Sequence, residues 1–420
     1  MDTLVPVGVT ASCRSTAIVV AMMVCVAMLP ADTHAASCGP LPLAEGRVRV
    51  VRSAGQLEDA VRDARPDSTI VVEDGVYELS EMLELRVPGV TLRGRSADPS
   101  KTIIKGRGMS ENRVGVALAV GAPGVTIAHL SLGLVRYHGI QVRGEAGASR
   151  VRVYAVRIFD TGQQLLKGSF APNGRTADDG VVECSTFEYS DHAPSNYTNG
   201  IDLIGTKDWV IRDNRFVRIR GPRENRWSAG PAILVWGHAE GTVVERNIVV
   251  DCSRGIALGL GPRAFATPRG GPTPVDHRGG VIRQNVVVNL NEWADEGIEA
   301  NAAPDVRIEF NTVLVEGTLS WSISVRFPQT SGVVRNNLTA RPILFRNGGS
   351  ATLEGNVEGA ERSWFLDAST GNLRLAETAA RAIDAGVSVS DPREDFDGLP
   401  RAVGKGPDAG AFEYQGRRRP

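Results

Sequence analysis

The chain has 420 residues, 42% of them hydrophobic and only 5% aromatic, with 47 glycines. That suits many tight turns and short aliphatic strands rather than a bulky helical core. A formal net charge of −1 argues against a nucleic-acid partner, which leaves a basic footprint.

Residues 1–35 read as a Sec-type signal peptide. Arg14 precedes an apolar run (15–29), then come Pro30 and small residues with a cleavage site after Ala35. The run is short for a membrane span, so the mature chain is expected to be secreted or periplasmic, without a span. Cleavage leaves Cys38, Cys184 and Cys252, too few for a disulfide scaffold. Cys38 is also considered as a lipidation site. A Cys184–Cys252 bridge would join phrases two coils apart, so buried free thiols are the expectation for both.

Residues 36–68 form an N-terminal segment. Ser53-Ala54-Gly55-Gln56 reads as a capping box, and Leu57, Ala60, Val61 and Ala64 follow at helical spacing. This short helix is the expected lid on the first coil of the repeat that begins at residue 69.

From 69 to 360 an apolar-x-apolar-polar-x-Asn phrase recurs. Its asparagines are Asn214, Asn247, Asn285, Asn311, Asn337 and Asn356, and degenerate copies start near 90, 125, 151 and 181. A short repeat with elastic insertions is the mark of a solenoid. Stacked coils stack identical side chains, so these asparagines are expected to form an amide ladder, a structural role. A second phrase, Gly-apolar-x-apolar, recurs as GIQVRG (139–144), QLLKGS (164–169), GIDLIG (200–205), AILVWG (232–237), GIALGL (255–260), GIEANA (297–302) and SISVRF (322–327). Alternation along such strands sends Ile140, Val142, Ile201, Leu203, Ile233 and Val235 inward. The outward lane then reads Gln141/Arg143, Leu165/Lys167, Asp202/Ile204, Leu234/Trp236, Ala257/Gly259, Glu299/Asn301 and Ser324/Arg326. Insertions at 168–180, 186–199, 217–231 and 260–279 flank these strands and should wall a groove. Residues 361–420 lack the phrase and read as a C-terminal cap and tail.

With the ladder, the opening LEDAVRDARPDSTIVVEDGVY (57–77) and the closing GPDAGAFEY (406–414), the chain resembles secreted proteins of the pectin-lyase-like fold over roughly 45–414. The resemblance implies an all-β, right-handed parallel β-helix of about ten coils. Many such proteins act on acidic polysaccharides as lyases or hydrolases, so an acidic polysaccharide is the implied partner, bound by a monomer.

The residues themselves sharpen this. A uronate lyase needs a base near C5, a group that quenches the carboxylate, and a proton for the leaving oxygen. Lys167 is the candidate base, with Arg143 beside it lowering its proton affinity. Arg143 and Gln141 would hold the carboxylate. His192 and Tyr197 are alternative proton shuttles. Gln164, His138 and Asp202 line the same stretch, and Trp227 and Trp236 could stack on sugar rings. Asp178, Asp179 and Glu183 are the oxygen donors that could take calcium. No Cys/His cluster suggests zinc. Hydrolase motifs fail: Asn199-Gly200-Ile201-Asp202 has the wrong spacing, and Trp236-Gly237-His238 lacks a second glycine. Asp202 and Glu299 are coils apart, too far for a paired-carboxylate mechanism. The reading is a uronate-polysaccharide lyase, with a non-catalytic glycan-binding solenoid second and a glycoside hydrolase third.

Overall fold

The computed structural model describes residues 38–42, 46–171, 174–262, 274–318 and 320–416, without the side chains of 226 and 227. The signal-peptide expectation falls outside these residues. Three parallel sheets of 12, 10 and 11 strands run the length of the molecule. The chain visits each in turn and repeats, which makes ten complete coils, one for each strand of the 10-stranded sheet. Parallel coils joined by short corners make a right-handed β-helix. Among the described residues no helix is long and apolar enough to cross a membrane.

The asparagine phrase builds the 12-stranded sheet and the corner that leaves it. Each ladder asparagine follows a residue in the left-handed region: Asp213, Arg246, Gln284, Phe310, Asn336 and Gly355, with φ between 51° and 57°. One such residue turns the chain sharply and leaves a backbone N–H without a strand partner. The amide satisfies it. Asn247 Oδ1 accepts from Asn214 N at 3.1 Å and from Asn214 Nδ2 at 3.0 Å. Its own Nδ2 donates to Asn285 Oδ1 at 3.0 Å and Ile211 O at 2.9 Å. The pattern continues through Asn311 and Asn337 to Asn356. Upstream, Cys184, Ala155 and His129 turn the same corner. There Ser185 Oγ replaces the first amide, accepting from Val156 N at 3.1 Å.

The 10-stranded sheet carries the second phrase and forms the floor of the groove. In this groove sheet the inward stack runs Ile140, Leu166, Ile201, Ile233, Ile256, Ile298 and Ile323 in register, each essentially sealed from solvent. The predicted insertions do flank it: 189–200 and 218–230 enter its strands, while 170–180 and 259–276 leave them.

The helix Ala54–Arg62 covers the first coil. Ser53 Oγ accepts from Gln56 N at 3.2 Å, and Gln56 Oε1 reaches back to Arg52 N at 2.8 Å. Leu57, Ala60 and Val61 join the main core, with Ala64 packed against it. The C-terminal segment differs from expectation. Trp364, Phe365, Leu373, Phe396 and Phe412 form a second core against Val286, Val288, Leu314 and Leu338. These are outward residues of the 11-stranded sheet, so the segment covers a flank. The last coil keeps Phe345 and Leu353 exposed.

The cysteine expectations are corrected. Cys38 and Cys184 form a disulfide, 146 residues apart, which leaves no thiol on Cys38 for a lipid and none on Cys184 for Cys252. Among the described residues only Cys252 is a buried free thiol, its pKa pushed up to about 12 by burial. The bridge is not visible in the sequence because residues 38–42 run back along the outer face of the 12-stranded sheet. His129 Nε2 accepts from Leu41 N at 3.1 Å, Tyr154 donates to Gly39 O, and Arg93 donates to Pro42 O. A strap of this kind obeys no coil period.

Two substitutions test these contacts. Asn285→Ala strips partners from Asn247 and from the Val244 carbonyl, so it should lower stability by about 2–4 kcal/mol in denaturant melts; a change under about half a kcal/mol contradicts a structural ladder. Cys38→Ser should cost about 2–5 kcal/mol, and reductant should bring the wild-type melting temperature down to the variant's. Wild type indifferent to reductant would contradict the bridge.

Candidate active site

Register fixes the outward lane. Gln141, Lys167, Asp202, Leu234, Ala257, Glu299 and Ser324 lie one above another on successive coils. Lys167 is therefore level with Gln141, whereas Arg143 is level with Ser169. The outward lane as read from the sequence, which sets Leu165/Lys167 on Gln141/Arg143, instead puts Lys167 level with Arg143. The phrase QLLKGS lacks the leading glycine that anchors most of the others, and it slips by two residues. A slip of two keeps inside and outside unchanged, so Lys167 still points outward. Leu165, expected in that lane, is fully buried in the core before the strand starts.

Lys167 sits in a near-dry spot, 7% exposed. Its Nζ donates to Asp202 Oδ2 at 2.5 Å, and the other oxygen, Oδ1, accepts from Trp236 Nε1 at 2.8 Å. Asp202 is 2% exposed. Removing either partner of this buried pair would strand the other in low dielectric. Tyr197, more than half exposed, lies with its ring centroid 5.8 Å from Nζ. The premise of a lysine among cations does not hold. Its neighbour is an acid, and Arg143 turns away to Glu84 on the groove-sheet strand Leu83–Leu85.

His138 opens the strand below. Its Nδ1 is 3.1 Å from the Gln164 carbonyl. A carbonyl only accepts, so Nδ1 carries the proton and Nε2 keeps the lone pair. Burial pushes the imidazole down to about 4; the Gln164 carbonyl opposes this and the Lys167 charge adds to it. At neutral pH the ring is neutral. Gln164 acts here through its backbone: its amide side chain is fully buried, with no hydrogen-bond partner among the described residues, and does not wall the groove. Gln141 is half-buried in the lane next to Lys167.

The remaining candidates fall elsewhere or outside the described residues. His192 Nδ1 is 3.0 Å from Gly221 O, and its Nε2 is 3.6 Å from Asp191, which also pairs with Arg223. The ring thus ties one loop wall to the next. The Trp227 side chain lies outside the described residues. The expected calcium donors are not assembled. Asp178 spends Oδ1 on Lys207 N and Oδ2 on the Thr176 hydroxyl, both at 3.0 Å. Asp179 holds a left-handed turn. Glu183 lies on the 12-stranded sheet, 2.7 Å from both Arg152 and Arg212. Burial alone would raise its pKa, but the two guanidiniums outweigh it and leave it lowered. The segment 178–183 crosses from a loop into another sheet, which is why nearness in sequence misleads. Among the described residues no three His, Cys, Asp or Glu side chains are grouped to hold a metal.

Sequence reasoning missed Glu84, Arg143's partner, and Glu296, which joins Glu299 at the far end of the groove sheet. Glu84 stands in the same outward lane, three coils below Lys167, on a strand without the second phrase, and Glu296 lies in a loop.

No protein-family model matches the chain, and no curated protein matches it. Solved structures do. Pectate lyase Pel9A aligns at 14% identity over 88% of this chain and 97% of that one, with a TM-score of 0.52. An alginate lyase from Paenibacillus sp. str. FPU-7 aligns at 15% identity over 74% of this chain and 95% of that one, at 0.43. The catalytic unit of a GH87 alpha-1,3-glucanase from Streptomyces thermodiastaticus aligns at 16% over 78% and 69%, at 0.44. What the pectate lyase shares with this chain is architecture: the protein is a right-handed parallel β-helix of the pectin-lyase-like fold.

Proposed function

We propose that the protein is an exported enzyme that cleaves a uronate-containing polysaccharide by β-elimination in this groove. The observation that carries the reading is the buried Lys167–Asp202 pair on the outward lane, with a neutral His138 at the start of the strand below. The lysine's part differs from that of a base. An ammonium held by a carboxylate has no lone pair to offer, but it is a fixed positive charge where a uronate carboxylate would rest. Lys167, with the Gln141 amide, quenches the negative charge that builds as C5 loses its proton. His138 Nε2 takes that proton. The C4–O bond breaks, the C4–C5 double bond forms, and the leaving oxygen is protonated by the Tyr197 phenol. Asp202 and Trp236 hold the lysine in place. The fold shared with a pectate lyase supports this reading, and the disulfide fits an oxidising compartment outside the cytosol.

A second reading, glycan binding without cleavage, draws on the same ion pair: Asp202 already neutralises Lys167, as it would in a site that merely holds a chain.

Incubation with alginate, pectate and glycosaminoglycans separates them. Ultraviolet absorbance of the unsaturated uronate product should rise, and Lys167→Ala and His138→Ala should each lower kcat about 10²- to 10³-fold. A flat trace with retained binding establishes the binding module. New reducing ends without unsaturation establish a hydrolase.

The pH profile tests the base. His138 must be unprotonated, and its folded pKa is about 4. Activity should therefore be full above that value and fall only as pH drops through about 4. An acid limb near about 6.5, the value of an ordinary histidine, would remove His138 from the role.

A further inference from the structure

Four coils beyond Lys167, the same lane carries Glu299 and then Ser324. At about 4.8 Å per coil that is roughly 19 Å along the helix axis. The two are joined by Asn301 on the same strand as Glu299, and by Glu296 from the loop entering that strand. Asn301 Nδ2 donates to Glu299 Oε2 at 3.0 Å and to Gly259 O at 3.2 Å. Arg346, two coils further on, pairs with Glu296 Oε1, while Arg254 takes the neighbouring Asp295 at 2.6 Å.

The polar accounting of this cluster does not close. Glu296 Oε2, Asn301 Oδ1 and Ser324 Oγ are buried and have no hydrogen-bond partner among the described residues. Their residues are 7%, 1% and 0% exposed. Buried polar atoms are nearly always satisfied, and a bare one carries a desolvation penalty that a ligand can relieve. Three in one patch, on the sheet face that the loops wall, mark places where a ligand's polar groups belong. Two of the three are acceptors only and the third is a hydroxyl. Such a set accepts hydrogen bonds from hydroxyl groups and would repel a carboxylate. Burial pushes Glu299 up to about 7, with Glu296 and Asp295 adding to it and Arg254 and the Asn301 amide opposing. Near neutrality, part of the population can then also donate from its carboxyl O–H.

We propose that Glu296, Glu299, Asn301 and Ser324 form a second sugar-binding site, which holds the hydroxyl edge of a unit several sugars away from the one at Lys167. This rests on the groove being where a glycan binds, and it adds that the chain lies along the helix axis and that long oligosaccharides bind better than short ones.

The test uses trisaccharides and octasaccharides of pectate, alginate and chondroitin, with affinities from calorimetry and melting temperatures for every variant. Ser324→Ala removes a hydroxyl that makes no hydrogen bond among the described residues, so it should leave the melting temperature unchanged or raise it. Octasaccharide affinity should nonetheless fall about five- to tenfold, the loss of one hydrogen bond, while trisaccharide affinity stays as in wild type. Glu296→Gln, which keeps the shape of the side chain, should repeat that length-dependent loss. Unchanged octasaccharide affinity in both variants overturns the site, as does an equal loss for both lengths. If Ser324→Ala weakens octasaccharides while wild type binds them but forms no unsaturated product, the cleavage reading fails and this site stands. Wild type binding none of the oligosaccharides overturns both.

Discussion

The amide ladder is the interaction on which the rest of the molecule depends. From the third coil on, each coil leaves its 12-stranded-sheet segment through a one-residue left-handed corner, and each such corner exposes a backbone N–H that the strands cannot pair. From Ser185 on, an asparagine on the next coil answers it, with its oxygen on that N–H and its own amide on the coil beyond. Because each amide is both donor and acceptor, the row works only if every copy occupies the same height. A coil slipped by one residue would bury a mismatched side chain and leave polar groups unpaired. The ladder therefore fixes register, and register fixes everything on the opposite sheet.

That is how a structural row comes to govern a chemical one. Gln141, Lys167 and Asp202 are far apart in sequence, yet their Cα atoms are neighbours on adjacent strands. Burying an ion pair is expensive, and hydrophobic replacements often serve stability as well or better. Lys167 and Asp202 are held at 2.5 Å with Trp236 closing the second oxygen, an arrangement that gives up stability to fix a charge in position. The pair is nearly sealed from solvent, and low dielectric makes the charge felt more strongly by whatever lies against it.

Much of this is legible in the residues. The ladder, the inward isoleucines, the capping helix and the walls of the groove follow from periods of two residues and of one coil. What is not legible has a physical reason in each case. Alternation sends Lys167 outward correctly but two residues off in height, because parity survives a slip of two. Glu183 and Asp178 look close because sequence distance ignores the change of sheet between them. Cys38 and Glu296 meet their partners through a strap and a loop, neither of which repeats, and Glu84 reaches Arg143 from a strand that lacks the second phrase. The protonation of His138 depends on burial and on a carbonyl from the next coil, so no single-strand reading could supply it.

The strap also sets an order of events. Cys38 belongs to the first part of the chain to be made, and Cys184 comes 146 residues later, at the corner of the fifth coil. The two sulfurs meet only when the stack has grown far enough for residues 38–42 to lie across coils already built, against Arg93, His129 and Tyr154. Oxidation thus comes after assembly. Until then a reactive thiol remains at the leading end, and its disappearance would report, molecule by molecule, that the first half of the solenoid has closed in register.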